Sequence, residues 1–542
     1  MIAGRARVAF VVCCLAAVLV FPPVGHRVLA TGGNNGDDEG RYLLMARDIL
    51  DRGALFDIQV RGERTWEKPP LLPWMIAAAA RLRGRNVTEG TGQAPIAVAT
   101  VAVVLFTFLL GDRLFGRRIG AWAAVIVLTA YDFFGHSQQI LPDMLVLAFV
   151  AMAGAAFVQG NLVRSGSRWP MPVFWSAVGF AVFAKGPLGL VPLVAATAWL
   201  GIEHGLRSGL RHLWSPLGVG AFSAITLAWV GPFLSLGAGA FAEHTIREDW
   251  LTWYLGRMPE PQNLLQIAAV GFLPWTLLLP IAIVSAVWAW RASAAVRFAL
   301  IWFSTPLLIL GLSAHQKDRY ALSLYPSAAM IVAWWADTHG SARTLASRVS
   351  GWVALVAAAG VAVAVRMPSW WHHSIRPYFI DLSWVTTLPI VAAVLVVGLA
   401  MWYGLERGRP RLLIQGTVAG MVILFGYGIW PYTSRHNEIW NFKELAARAE
   451  LAARVDMWAE VGDVVVFAHR PDWLALDFYT GRSLATLEDF EELNASLARP
   501  GCVVIFRTDY WQRYEATLAK RVDMIDEILI GREKMLIVRS RT

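Results

Sequence analysis

The chain has 542 residues, of which 56% are hydrophobic and only 16% charged, against about 25% charged in an ordinary soluble protein. Apolar stretches long enough to cross about 30 Å of hydrocarbon recur from residue 8 to residue 431, which excludes a soluble globular class, because no soluble core hides that much apolar helix. The net charge of +9 does not point to nucleic acid, because the basic residues sit in short clusters between apolar spans, as the positive-inside rule requires.

In chain order, Arg5 and Arg7 precede an apolar run from Val8 to about Val24. It is read as a retained first helix, since Val28-Leu-Ala30 is a weak cleavage site. Cys13 and Cys14 lie inside it and Cys502 far away, so no disulfide framework is expected. A polar stretch follows to about residue 94, expected to hold juxtamembrane helices. It contains Asp37-Asp-Glu-Gly-Arg-Tyr42, running into an amphipathic segment, and Trp66-Glu-Lys-Pro-Pro-Leu-Leu-Pro-Trp74. Spans then alternate between Arg clusters and polar turns. The clusters lie near residues 117, 164, 207, 291, 343 and 407. The turns include His136-Ser-Gln-Gln139, the segment 237–265 and the cluster 315–320. With Arg5 and Arg7 inside, the count predicts about 13 transmembrane helices and puts every short Arg cluster on the cytoplasmic side. The transmembrane domain is expected over 1–432, with 31–94 as its first extracytoplasmic loop.

From 433 to 542 the pattern changes to a small extracytoplasmic α/β domain. Val464-Val-Val-Phe-Ala468, Cys502-Val-Val-Ile-Phe506 and Lys534-Met-Leu-Ile-Val538 read as buried strands. The stretches 474–479 and 487–497 read as helices. The tail shows neither a nucleophile motif nor metal-ligand spacing.

The topology gathers charged residues from distant parts of the chain onto one face. Charges beside a bilayer are costly unless paired, hydrated or used, so each is a functional candidate. Asp38 belongs to a run of three acids where one would suffice to cap a helix, and a carboxylate there can take a proton from an acceptor hydroxyl. Glu67 and Lys68 stand before paired prolines that fix the backbone. Asp143 opens an apolar span, where helix capping is the simpler role. Lys185, before Gly186-Pro187, interrupts another span and needs an anionic partner or water. Lys317, Arg319 and Tyr320 are placed to converge on an anion, with Arg able to grip phosphate in two places. Glu67 and His244 are the weak possibility for a divalent metal, and no cofactor is certain. The sequence carries neither a Walker loop nor G-x-G-x-x-G, so a nucleotide substrate has no support. A lipid or solute transporter is the competing class, although the midplane polar residues and internal repeats it usually carries are not evident.

Asp38-Glu-x-Arg-Tyr42, Glu67-Lys-Pro-Pro-Leu71, the Asp143 span start, Lys185-Gly186 and Glu243-His-x-x-Arg247 occur in this order. Together they resemble the ArnT-like and protein O-mannosyltransferase-like glycosyltransferases of the GT-C class, over roughly residues 1–335. The resemblance implies a GT-C fold in a bacterial inner membrane, with the active site facing the periplasm. Its donor would be a sugar on a polyprenyl phosphate such as undecaprenyl phosphate, and its acceptor lipid A, a protein or an envelope glycan. Lipid A with 4-amino-4-deoxy-L-arabinose is the leading pairing, with membrane lipids as further partners. By motif, Asp38 is the acid nearest the reaction, with Glu67 and Asp143 as further catalytic candidates. Arg41, Tyr42, Lys68, Lys185, Arg247, Lys317 and Arg319 would bind the donor phosphate and sugar. The stretch Gly256–Asn263 departs from the aminoarabinose pattern, lacking an aromatic cluster.

Overall fold

The computed structural model describes residues 2–29, 36–65, 68–163, 167–255, 260–314, 316–367, 369, 376–380, 382–453, 463–467, 473–499, 501–531 and 533–541. It is a helical membrane bundle carrying a small sheet at one end. Among the described residues, eight stretches are long and apolar enough to cross a bilayer: Glu89–Phe115, Asp143–Asn161, Pro170–His204, Pro216–Thr252, Ala294–Gly311, Leu345–Ala364, Trp384–Glu406 and Pro410–Ala453. The other apolar segments read from the sequence are shorter or broken helices. The run expected to cross after Arg117 is divided into Arg117–Leu128 and Tyr131–His136. The run before Arg291 is divided into Pro261–Gly271 and Leu279–Trp288, with a 3-10 turn between. The first helix, Ile2–Val20, ends four residues before the apolar run does.

Local chemistry sets many of these boundaries. Thr88 caps the Glu89–Phe115 helix, accepting from the Thr91 N–H while the Thr91 hydroxyl oxygen accepts from the Thr88 N–H. Ser215, Ser293, Thr344 and Ser383 each accept from the N–H three residues on and start the helix that follows. Between Glu89–Phe115 and Arg117–Leu128 the backbones meet at glycines: a Cβ on Gly111 would stand 2.8 Å from the Gly120 Cα. Such close approach is how membrane helices gain contact where no hydrophobic effect separates them from lipid. The Pro216–Ala240 helix buries few of its side chains, and Leu217, Leu227 and Leu234 are exposed. A face that apolar suits contact with lipid.

The Arg clusters are joined through their contacts at one end of the bundle. Arg5 pairs with Asp112 at 3.0 Å and Arg118 with Asp337 at 3.1 Å. Arg297 pairs with Glu203 at 2.5 Å and Arg348 with Glu406 at 3.0 Å. The opposite end holds the Gly36–Arg52 helix, the start of Asp143–Asn161, the break after Lys185 and the Asp318–Leu324 turn.

The tail forms a five-stranded sheet in the order Ala485–Leu487, Val464–Phe467, Val503–Arg507, Glu533–Ser540, Val522–Ile530. The first three strands are parallel and the last two pairings antiparallel. The strand Val522–Ile530 and the helix Thr508–Leu518 were not read from the sequence, and two further details differ. Residues 485–487 are a strand, so the expected helix over 487–497 begins only at Phe490, capped by Asp489. The Pro410–Ile439 helix also runs through residue 433, so the expected domain boundary falls inside a continuous helix. One hydrophobic core continues from the bundle through Phe442, Leu445 and Leu476 to one face of the sheet, and a second lies on the sheet's far face.

Candidate active site

The Gly36–Arg52 helix places Asp38 in its first turn and Tyr42 one turn later. Glu39, beside Asp38, points away from the cavity. It pairs with the buried Arg27 and accepts the Ile140 N–H at 2.7 Å. Arg27 in turn donates to the Gln138 carbonyl at 3.1 Å. The acid run is thereby divided: Glu39 fastens the helix to the 138–143 turn, while Asp38 is left facing the cavity. The Asp37 side chain lies outside the described residues.

Asp143 stands in the first turn of its own helix, only 7% exposed. The positive end of that helix favours a carboxylate there. Lys185 reaches it from the end of the Pro170–Lys185 helix, Nζ to Oδ1 at 2.5 Å. Gly186, at φ +71°, breaks that helix and lets Trp250 lie against it, since a Cβ would stand 2.8 Å from the indole. Arg319 comes from the turn between two further helices. It donates to Asp38 Oδ2 at 3.1 Å, and its Nε stands 3.8 Å from Asp143 Oδ2. Lys185 Nζ also lies 4.6 Å from the centre of the Tyr320 ring.

These groups line a cavity of about 370 Å³. Eight of the residues singled out in the sequence meet there: Asp38, Tyr42, Lys68, Asp143, Lys185, Lys317, Arg319 and Tyr320. The wall also includes Trp250 and Tyr254, and an apolar side made by Leu188, Leu190, Val191, Val194 and Ile309. Trp250 and Tyr254 were not anticipated. Their only signal is position, since they follow the Glu-His-x-x-Arg motif by three and seven residues.

The charges are strongly coupled. Burial works to raise the pKa of Asp38, but Arg319, then Lys68, Lys317 and Arg41, outweigh it and hold the carboxyl below its usual range. Lys317 is lowered, first by burial and then by the neighbouring Arg319. The site therefore gathers several cations and two carboxylates in a partly enclosed volume, where charge interactions exceed those in water. Such an arrangement can hold an anionic group against the cations and stabilise charge that grows on it.

Three expected site residues stand elsewhere. Arg41 is near enough to act on Asp38 but does not line the cavity. Arg247 is 70% exposed and bonded to Glu243 at 2.5 Å, and His244 faces Glu248 at 2.9 Å. The four-residue spacing of Glu243–Arg247 and His244–Glu248 pairs these side chains along their own coil. The residue of that segment that faces the cavity is Trp250. Glu67 lies outside the described residues. Among the described residues, no group of three or more His, Cys, Asp or Glu is placed to hold a metal ion.

The family described as Dolichyl-phosphate-mannose-protein mannosyltransferase matches residues 67–234. Among curated proteins, the undecaprenyl phosphate-α-4-amino-4-deoxy-L-arabinose arabinosyl transferase of Edwardsiella ictaluri is 26% identical over 361 residues, 63% of each chain. The protein of that name from Pseudomonas aeruginosa is 25% identical over 411 residues, 71% of this chain and 70% of the other. The chain thus spans less than two thirds of the Edwardsiella relative. In fold, ArnT from Cupriavidus metallidurans bound to undecaprenyl phosphate aligns over 99% of this chain and 97% of its own, with a TM-score of 0.73 and 18% identity. An archaeal oligosaccharyltransferase from Archaeoglobus fulgidus aligns over 91% of this chain and 65% of its own, with a TM-score of 0.51 and 11% identity.

Proposed function

We propose, from the chain's similarity to the ArnT-like GT-C glycosyltransferases, that it transfers a sugar from a polyprenyl-phosphate donor to an acceptor at the outer face of the bacterial inner membrane. The observation that carries this is the cavity itself. Lys68 and the pair Lys317 and Arg319 converge from two separate segments beside Asp38, next to an apolar wall. The cations receive the donor phosphate and the apolar wall faces the start of its lipid. Relatives named for undecaprenyl phosphate-α-4-amino-4-deoxy-L-arabinose make that sugar the first donor to test.

In the reaction, an acceptor oxygen forms a bond to the anomeric carbon as the bond from that carbon to the phosphate oxygen breaks. The electron pair leaves with the phosphate, whose growing charge meets Arg319 and Lys317. Asp38 takes the proton of a hydroxyl acceptor, and with a phosphate acceptor it acts by positioning alone. Asp143 holds Lys185 and Arg319 in place. Glu67 and Asp143 remain secondary catalytic candidates.

The test is transfer by purified protein in nanodiscs, with undecaprenyl-phosphate aminoarabinose as donor and lipid A, envelope glycan and protein fractions as acceptors, read by mass spectrometry. A mass increase of one sugar on one acceptor class is expected, and Asp38→Asn should lower the rate by about 10²–10⁴-fold. Transfer at the wild-type rate by Asp38→Asn removes the carboxylate from the mechanism. Failure of undecaprenyl phosphate to bind overturns the donor assignment.

A further inference from the structure

Behind the cavity wall, beside Asp318, stands a buried histidine that the transfer reaction does not use. His136 ends the Tyr131–His136 helix and is 4% exposed. Its Nδ1 lies 2.8 Å from the Asp132 carbonyl oxygen, an acceptor, so Nδ1 carries a hydrogen. Its Nε2 lies 3.7 Å from Asp318 Oδ1. A neutral ring with its hydrogen on Nδ1 would turn a lone pair toward that carboxylate. The geometry favours the imidazolium, which presents a hydrogen on both sides.

Asp318 is the middle residue of Lys317-Asp318-Arg319. Its neighbours turn into the cavity, while its carboxylate turns back to His136 and accepts the Arg319 N–H at 2.8 Å. His136 itself stands seven residues before Asp143, in the segment that also meets Arg27 and Glu39. The two segments joined by His136 and Asp318 are therefore those that carry Arg319 and Asp143.

We propose that His136 is a positioning residue: its imidazolium clasps Asp318 and so holds Lys317 and Arg319 where they receive the donor phosphate. This rests on reading the cavity as the phosphate site. The groups that face the clasp are Asp132 and Tyr131 from the histidine's own helix, Arg319 from the turn, and Tyr325 from the next helix, its hydroxyl 3.5 Å from Asp132 Oδ2. Burial lowers the pKa of His136, but Asp318 and Asp132 outweigh it and the net shift is upward. Burial works to raise Asp318, but His136 and Arg319 hold it down to about 2. The sign follows: the clasp is complete below the ordinary histidine pKa of about 6.5 and is lost as pH rises through the raised value.

The experiment measures undecaprenyl phosphate binding to the full chain in nanodiscs from pH 6 to 9, for wild type, His136→Gln, Asp318→Asn and Asp318→Glu. Ionisation of the lipid phosphate is common to all four, so the readout is the ratio of variant to wild type. At pH 6, His136→Gln and Asp318→Asn should bind about fivefold more weakly, with the ratio approaching one by pH 9. Asp318→Glu keeps the charge and should restore binding. Asp318 is 45% exposed, so its variants report even if His136→Gln does not fold. Unchanged affinity of Asp318→Asn at pH 6, or a deficit equal at both pH values, overturns the clasp. A wild type that binds no undecaprenyl phosphate at any pH overturns the phosphate-site reading, and the clasp with it.

Discussion

Lys185 and Asp143 are 42 residues apart in sequence and 2.5 Å apart in space, and neither could be assigned a partner from the chain alone. In the sequence Asp143 reads as a helix-starting acid and Lys185 as an interruption of an apolar run. Only the packing of the two helices turns them into a buried pair, with Arg319 as third member. Removing one member leaves a buried charge uncompensated, at a cost of about 3–5 kcal/mol. Lys185→Met should therefore lower the thermal midpoint in detergent far more than Lys185→Met combined with Asp143→Leu, which removes both charges. Equal losses in the single and double variants would show that the pair carries no coupling. Asp38 yields a pH prediction. Its depressed pKa leaves it ionised above its unfolded value, so its contribution is lost only as pH falls through the lowered one. The transfer rate should stay level from pH 7 down to about pH 5. An acid limb above pH 5 that disappears in Asp38→Asn would contradict the cation field described for it.

At the scale of elements, the Gly36–Arg52 helix is held from both sides. Glu39 and Arg27 fasten it to the bundle. The Leu474–Thr480 helix of the tail lies across it at Gly40, where a Cβ would stand 2.9 Å from the Leu474 carbonyl carbon and 3.0 Å from the Ala475 nitrogen. Backbone cannot yield as a side-chain tip can. Around this seat Arg61 pairs with the buried Asp477 at 2.5 Å, and Arg47 donates to the Phe478 carbonyl at 2.9 Å. The Tyr479 hydroxyl donates to Glu89 at 3.0 Å and accepts the Leu29 N–H at 2.9 Å. The tail thus braces the helix that carries Asp38. Gly40→Val should force the two helices apart, costing about 1–3 kcal/mol by overpacking and lowering the transfer rate more than donor affinity. A Gly40→Val variant with wild-type rate and thermal midpoint would mean that the tail does not hold Asp38. Three of the tail's five strands were legible as continuous apolar runs, but its seat on Gly40 was not. Nothing local distinguishes that glycine from one in a turn.

Over the whole molecule, the Arg clusters and the cavity stand at opposite ends of the bundle. With the clusters in the cytoplasm, the cavity opens outward. Single-cysteine labelling in intact cells should modify Lys317→Cys without breaching the membrane and Arg343→Cys only after breaching it. The reverse pattern would invert the orientation. A membrane-impermeant maleimide read by mass shift suffices.

Membrane class was determined by composition alone, and the proposed orientation rests on charge spacing, because both depend on sums over many residues. A bilayer demands long apolar runs, and inner loops collect arginine, whatever the details of packing. Eight cavity residues were also legible, because an ionisable group at a membrane boundary has few inexpensive roles. Tertiary structure decided which charges meet. Arg247 carries the same kind of charge as Arg319, yet its i,i+4 acid holds it on an exposed coil, while Arg319 is drawn between Asp38 and Asp143. Glu39 and Asp38 are adjacent in sequence, yet one anchors and the other faces the cavity, because neighbouring helical residues point about 100° apart. His136 and Asp318 were legible only as turn residues. Their pairing needs two segments separated by some 180 residues of chain to pack side by side, and no local pattern encodes that.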